Sequence, residues 1–448
     1  MALTGLDIYK LLPQTNCGDC GVPTCLAFAM KVAAKQAPLD ECPHVSAESQ
    51  QQMGAASAPP QKLVTVGSGE GALKIGQETV MFRHDERFHH QCGIAVLVND
   101  TDDLAARAER IKALSFERMG QIMDVDTVAL RCASGDGEKL KAAARQLHAE
   151  LSLPLVLVAD AADLLAPAAE AMAEQRPLLW ERGGPSDELI RLAADAKPRL
   201  PIVVEGDLEK CDADTQKARE AGVEEMVLYP GQLSPHDTLQ FLTMSRRAAL
   251  KRTHRPLGYP VLVYASSQEP VQLALEASQY VLKYAGIVVM DLDDPAYVLP
   301  VLVSRQSIYI DPQVPVQVEA KVHEVNNPTE TSPLIVTTNF SLTYYSVLGE
   351  VEASRVPARI LTVDTKGTSV LTAWAADEFG PEQIKAAVEK SGVFNELGEN
   401  YRRPIIPGLV AVISGELSEE LGTEVIVGPK EASGLGRFLN SEWPALVG

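Results

Sequence analysis

The sequence predicts an α/β chain in three parts: a small N-terminal cysteine domain, a central (β/α)8 TIM-like barrel and a smaller C-terminal α/β domain. Three observations point there. The chain has 448 residues, which at roughly 150 residues per domain amounts to about three domains. Between residues 93 and 312, short Val, Ile and Leu-rich runs alternate with amphipathic stretches, the pattern of parallel strands joined by crossover helices. Four of the seven cysteines fall within the first 42 residues, and in a large chain such clustering suggests metal binding more than disulfides.

Residues 1–57 form the cysteine unit. LDIYKLL reads as a short helix, NCGDCGVPTC as a tight loop and LAFAMKVAAKQ as an Ala-rich helix that Pro38 ends. The stretch 46–61, SAESQQQMGAASAPPQ, is small, polar and without apolar period. It reads as a flexible linker with a mean reach of roughly 20–24 Å. Residues 58–92 combine linker with small antiparallel strands, LVTV, ALKIG and TVMFR. Gly67, Gly69 and Gly71 read as a hairpin turn, because ALKIGQETVMF alternates like a strand where a phosphate loop would open a helix.

Residues 93–312 hold the barrel. Its strands are IAVLV, TVALR, PLVLVA, PLLW, PIVVE, EMVLY, PVLVY and GIVVMDL, with helices such as EKLKAAARQLHAEL between them. Without PLLW, a doubly wound open sheet competes. Residues 313–332, with Pro315 and Pro328 inside, read as a second linker. Residues 333–448 hold strands at LIVTT, RILTVD, LVAVIS and EVIVG, and helices at LTYYSVLGEVEAS, TSVLTAWAADE and PEQIKAAVEKSG.

Composition limits the function. Apolar residues make up 46% and charged residues 22%, an ordinary globular balance. Forty Lys and Arg against 60 Asp and Glu leave a formal charge of −20, which argues against nucleic-acid or polybasic membrane binding. No apolar run approaches the ~20 residues of a membrane span. MALTGLDIYKLLPQ lacks the basic start and apolar core of a signal peptide, so the expected location is cytoplasmic.

The strongest chemical signal is Cys17-x2-Cys20-x4-Cys25-x16-Cys42. A [4Fe–4S] cluster needs four converging thiolates, and the glycines in this loop let backbone amides approach its sulfurs. A four-cysteine zinc site is the alternative, but structural zinc favours two CxxC knuckles and this chain has one. Cys92, Cys132 and Cys211 read as buried small hydrophobes. His84, His89, His90 and Cys92 lack the spacing of a second metal site and read as structural or surface residues. At the predicted barrel strand ends stand Asn99, Asp160, Glu205 and Asp291, positions that are catalytic in barrel enzymes but also cap helices. Both readings stay open at this point, and no catalytic residue is assigned.

CGDCGVPTC with its distant Cys-Pro resembles the [4Fe–4S] domain of corrinoid/iron–sulfur proteins. FRHDERF at 82–88 resembles the entry segment to the barrel in the same family. The order of cluster domain, barrel and small α/β domain resembles the large (gamma) subunits of the reductive acetyl-CoA (Wood–Ljungdahl) pathway, across essentially the whole chain. The resemblance implies a Rossmann-like C-terminal domain that binds a cobamide. It implies a methyl carrier: a separate methyltetrahydrofolate:corrinoid methyltransferase loads the cobalt, and carbon monoxide dehydrogenase/acetyl-CoA synthase unloads it. Cys17, Cys20, Cys25 and Cys42 then hold the cluster that returns Co(II) to Co(I). The partner is a small subunit in a heterodimer, with the cobamide between the two.

In open α/β folds, ligands sit outside the carboxyl ends of the strands. Thr338, Thr343, Tyr344, Thr368, Ser369, Val370, Leu371 and Gly434 are therefore the candidate cobamide contacts, with helix capping as their alternative. No Asp-x-His-x-x-Gly loop is present, and His323 is the one histidine beyond the barrel. The resemblance accordingly implies a base-off cobamide without a protein axial ligand. Two competing functions are an electron-transfer protein with a flavin on the C-terminal domain and a barrel methyltransferase acting on a pterin. The missing Gly-rich nucleotide loop weakens the first, and the missing acid–base set weakens the second.

Overall fold

A computed structural model describes residues 5–33, 42–46 and 59–447. Pro38 and residues 47–58 of the stretch read as a linker lie outside the described residues. The chain divides into two units, residues 1–116 with 122–309 and residues 117–121 with 310–448.

In the first unit, helices Gly5–Leu11 and Cys25–Ala33 close on a small core of Ile8, Leu12, Val22, Phe28 and Ala29 that also takes in Cys25 and Cys42. Strands β1 (Leu63–Val66) and β2 (Leu73–Gly76) pair antiparallel, with the predicted glycine turn between them. TVMFR is not a strand. Its Val80 carbonyl instead accepts the buried Arg246 guanidinium, from Nη2 at 2.6 Å.

The barrel has all eight predicted strands. They are β3 (Gly93–Asn99), β6 (Thr127–Arg131), β7 (Leu155–Ala159), β8 (Leu178–Glu181), β9 (Ile202–Glu205), β10 (Met226–Tyr229), β11 (Leu262–Ala265) and β12 (Ile287–Met290). A two-stranded excursion, β4 (Phe116–Arg118) and β5 (Gln121–Met123), follows β3 and its helix. The eight strands run in the order β10-β9-β8-β7-β6-β3-β12-β11. The Leu228 amide donates to the Pro260 carbonyl at 2.9 Å, beside a Leu228–Val261 bridge that brings β10 to β11. PLLW is thus β8, and the barrel excludes the open-sheet alternative. Its strands read as unbroken apolar runs because both faces are buried, one inside the barrel and one under helices. Asp103, Asp136, Ser186, Asp207 and Ser234 cap the helices that follow the strands, each accepting a first-turn amide.

The second unit is a five-stranded sheet in the order β13-β15-β14-β16-β17. β14 (Leu334–Thr338), β15 (Ala358–Val363), β16 (Pro404–Ile406) and β17 (Ile426–Val427) are parallel. β13 (Val322–Val325), inside the 313–332 segment read as linker, pairs antiparallel with β15. Helices Ser341–Ser354, Val370–Ala375 and Pro381–Ser391 lie where the sequence predicts them. LVAVIS differs from its expected strand. Residues Gly408–Ile413 form a 3-10 turn, and the strand is the preceding PII. The physical reason is period. Val410, Ile413 and Leu417 are buried while Leu409 and Val412 are exposed, a spacing of three to four residues that suits a helical turn.

Candidate metal centre and ligand crevice

The cysteine loop is built from left-handed backbone. Asn16, Gly18 and Gly21 have φ of 50°, 82° and 75°, which a β-branched residue could not adopt without strain. The Gly21 amide donates to the Gly18 carbonyl at 2.9 Å. Asn16 locks the loop to the next helix: the Cys25 amide donates to its Oδ1 at 2.8 Å, and its own amide donates to Cys25 Sγ at 3.4 Å. Cys25 and Cys42 are buried, Cys20 is half-buried and Cys17 is exposed. Two thiols thus rise from the small core and two from the loop. Sequence reading passed over two neighbours. The Asp19 carboxylate and His44 imidazole lie within 4.8 Å of Cys17 Sγ and of each other, and His44 Nε2 is 2.6 Å from Asp19 Oδ2. Hydrogen bonds from His44, then Cys17, hold Asp19 below the usual carboxylate range.

The remaining cysteines and histidines are occupied locally. Cys92 and Cys211 are buried, and burial pushes the Cys211 thiol up to about 12. Its Sγ faces the Gly206 carbonyl at 3.3 Å. His84 and His89 pair with Asp85 and Glu86, at 3.5 and 3.7 Å, and His90 Nε2 lies 3.1 Å from Gln77 Oε1.

At the mouth of the barrel the four strand-end residues have protein partners, while the Nε of Arg107 is buried without a hydrogen-bond partner. Asn99 Oδ1 accepts from Arg131 Nε at 2.8 Å, and its Nδ2 donates to Asp102. Asp160 pairs with Arg182 at 3.1 Å and Asp291 with Arg107 at 3.3 Å. Glu205 accepts from Trp180 Nε1 at 3.2 Å and from the Gly183 amide at 2.9 Å. The four strand-end residues are tied to neighbours, and Asn99, Asp160 and Glu205 do not cap the helices after their strands, whose N-caps are Asp103, Ala161 and Asp207.

The second unit is different. β14 is followed by β15 on one side and β16 on the other, so their connections diverge and leave a crevice at the carboxyl ends of β14 and β16. The cavity there measures about 400 Å³. Ile335, Thr337, Ile405 and Ile406 form its strand side and Val347 and Leu435 part of its helix side. Of the predicted contacts, Thr343, Ser369, Val370 and Leu371 line it. The other four lie outside the lining. Thr338 is fully buried. Tyr344 packs in the core with its ring 4.5 Å from His323 and 5.0 Å from Tyr345. Thr368 turns its hydroxyl to the Thr365 carbonyl at 2.8 Å. Gly434 backs onto the lining residue Pro429, where a Cβ would meet the proline at 2.8 Å.

Two features carry chemical meaning here. The hydroxyls of Thr337, in the lining, and of Thr338, outside it, are buried without a partner, a condition that costs about 1–3 kcal/mol per group. Leu342, Leu371 and Leu409, all lining residues, stay 57%, 47% and 40% exposed around the mouth. Asn339, missing from the predicted set, holds the edge in place. Its Oδ1 accepts from the amides of Thr365 and Gly367 at 3.0 and 3.1 Å, and its Nδ2 donates to Gln317 and Asp364, each at 3.2 Å. The sequence signal for it is the Thr-Thr-Asn end of an apolar strand. His323 lies outside the lining, with Nε2 3.2 Å from Thr362 Oγ1, and burial holds it below the usual histidine range.

A protein-family profile for the CO dehydrogenase/acetyl-CoA synthase delta subunit matches residues 63–439, and one for a putative Fe–S cluster matches residues 12–44. The corrinoid/iron–sulfur protein large subunit of Moorella thermoacetica is 43% identical over 442 residues, 98% of each chain. The chain belongs to the corrinoid/iron–sulfur protein large-subunit family. Another member, the acetyl-CoA decarbonylase/synthase complex subunit gamma of Methanothermobacter thermautotrophicus, is 32% identical over 98% of this chain and 99% of its own. These relatives match the chain from the cluster motif through the crevice domain, whereas the delta-subunit profile begins after the four clustered cysteines. Among solved structures, dihydropteroate synthase from Thermus thermophilus is similar over 56% of this chain and 100% of its own, at 16% identity and a TM-score of 0.41. No helix among the described residues is long and apolar enough to cross a membrane.

Proposed function

We propose that the chain is a methyl-carrier subunit that holds a [4Fe–4S] cluster on Cys17, Cys20, Cys25 and Cys42 and a cobamide at the crevice of its C-terminal domain. The observation that carries this reading is the switch-point crevice with a buried, unpartnered hydroxyl in its wall, in a chain that also carries a four-cysteine loop. When bound, the cobamide supplies a cobalt that takes a methyl group from methyltetrahydrofolate through a separate methyltransferase and yields it to acetyl-CoA synthase.

The chain's own residues bind and orient. Thr337, Thr343, Ser369, Val370 and Leu371 meet the cofactor, and Thr338, Tyr344, Thr368 and Gly434 support the walls behind them. Asn339 holds the crevice open. The exposed leucines exclude water and face the small subunit of a heterodimer. His323 is engaged with Thr362 and lies outside the crevice, which supports a cofactor without a protein axial ligand; the base-off state is what the family resemblance implies. Cys17, Cys20, Cys25 and Cys42 would hold the cluster, which would supply the electron for reductive reactivation of the cobalt. The self-paired barrel mouth speaks against a pterin methyltransferase in this chain, and the expected location is cytoplasmic.

Metal analysis after strictly anaerobic co-purification with the native partner tests the reading. Iron near ~4 and cobalt near ~1 per chain is the expected result. Iron without cobalt in an intact heterodimer overturns it in favour of an electron-transfer protein.

A further inference from the structure

The outer surface of the barrel carries a groove that the carrier reading leaves unused. Two cavities of about 640 and 450 Å³ lie along the helices Leu208–Glu220 and Pro235–Arg252 and share Leu208 and Leu257. Leu257 is buried, Leu208 is half-buried and Met244 lies 51% exposed in the lining of the second cavity. Charge here runs against the rest of the chain. From Thr238 to Gln268 there is no Asp or Glu and there are five Lys or Arg, in a chain of formal charge −20. Arg246 is buried with Glu78 at 3.3 Å, and Arg255 Nη1 donates to the Pro59 carbonyl at 2.6 Å. The other three, Arg247, Lys251 and Arg252, are exposed, line the second cavity and make no ion pair among the described residues. On the helix Leu208–Glu220, by contrast, Lys210 and Lys217 pair with Asp214 and Asp187 at 2.7 and 2.5 Å. Lys251 and Arg252 suit the carboxyl end of their helix. Arg247 stands more than a turn before that end and four residues from Lys251, where like charges repel. Helix stability therefore does not account for the set.

We propose that this groove docks an acidic segment of a partner protein, with carboxylates on Arg247, Lys251 and Arg252 and one large apolar side chain over Met244 and Leu257. The inference does not depend on the cobamide reading. Charge complementarity names the partner. Most of this acidic chain repels an acidic protein, and the groove is a local exception that gives such a protein one orientation in which to approach. The floor excludes a bare phosphate, which needs converging donors, because Leu208, Met244 and Leu257 offer hydrocarbon. A flat anionic membrane meets the acidic surroundings as well as the patch, whereas a narrow segment inside the groove lies within a Debye length of about 8 Å from the cations alone. Arg255, two residues before the floor residue Leu257, holds Pro59, so the docked segment sits beside the strand of chain that leads back to the four cysteines.

The test uses the full-length chain co-purified with its partner subunit. It is titrated with a fluorescein-labelled Glu/Leu peptide, with a Glu/Ala peptide of the same length and charge, and with vesicles of phosphatidylserine and phosphatidylcholine. Binding is followed by anisotropy and, for the vesicles, by sedimentation. The expected order is Glu/Leu tightest, with Glu/Ala roughly 3–10-fold weaker. The triple variant Arg247→Gln, Lys251→Gln, Arg252→Gln weakens the Glu/Leu peptide roughly 10-fold and keeps the wild-type melting temperature. Met244→Ser brings the two peptides to equal affinity. Raising salt from ~0.05 to ~0.5 M weakens the wild-type chain and leaves the triple variant nearly unchanged. No binding of the Glu/Leu peptide overturns the inference, as does equal binding to the wild-type chain and the triple variant. Equal affinity of the wild-type chain for the two peptides overturns it as well. Vesicle binding that the triple variant loses overturns it in favour of a membrane surface.

Discussion

Two surfaces in this molecule stand at the carboxyl ends of parallel strands, and they differ in one respect. At the barrel mouth, Asn99, Asp160, Glu205 and Asp291 all find protein partners. At the C-terminal crevice, the hydroxyl of Thr337 finds none, and leucines stay exposed around an open cavity. The two sites share topology, and each keeps a buried unpartnered atom, Arg107 Nε at the mouth and Thr337 Oγ1 at the crevice; they differ in the open, leucine-rimmed cavity at the second. A site for a ligand is recognised by what the chain leaves unmade.

The comparison breaks first under crevice filling. Ser346→Trp places an indole at the crevice wall and is expected to weaken cobalamin binding roughly 10–100-fold through about 1–3 kcal/mol of overpacking. Glu205→Gln at the barrel mouth is expected to leave cobalamin binding unchanged, although it costs about 1 kcal/mol of stability. Titration of both variants checks the pair, and an effect of Glu205→Gln on affinity would unite the two surfaces.

Asn339 sharpens the comparison next. Asn339→Ala removes the acceptor of the Thr365 and Gly367 amides, at an expected cost of about 1–3 kcal/mol to the second unit. Asn339→Asp keeps that acceptor but sets a carboxylate against Asp364 in place of the donated hydrogen bond, and is expected to recover little of the loss. Urea unfolding followed by Trp374 and Trp443 fluorescence reads the difference.

The smallest effect is a pH dependence. Burial holds His323 below the usual histidine range, so the unfolded chain takes up a proton at higher pH than the folded one. This contribution to stability is complete above the unfolded pKa of about 6.5 and falls as pH drops below it. The second unit is expected to unfold at lower urea near pH ~5.5 than near ~7.5, and His323→Gln is expected to flatten that difference.

Much of this was legible before folding. PLLW is short and ends in Trp180, yet it is a barrel strand because an unbroken apolar run suits a strand covered on both faces. LVAVIS was misleading because an apolar run does not reveal its period until one side is exposed, and Val412 at 74% exposure decides it. The crevice was legible as strand ends rich in Thr, Ser and Gly, and half of the predicted contacts line it. Thr338 and Tyr344 look equivalent to Thr337 and Thr343 in the sequence. Alternation along β14, and rotation along the helix after it, turn one of each pair toward the cavity.

The order of the domains, the eight barrel strands and the four thiols follow from local pattern and spacing. Apolar period and cysteine interval are short-range quantities that a linear chain carries complete. Tertiary structure alone decided the rest: that Asp19 and His44 meet Cys17, that the barrel mouth pairs with itself, and that Thr337 is left with a hydroxyl and no partner. Each of these is a statement about which polar group lies within about 3 Å of another, and that distance is set only when remote segments pack.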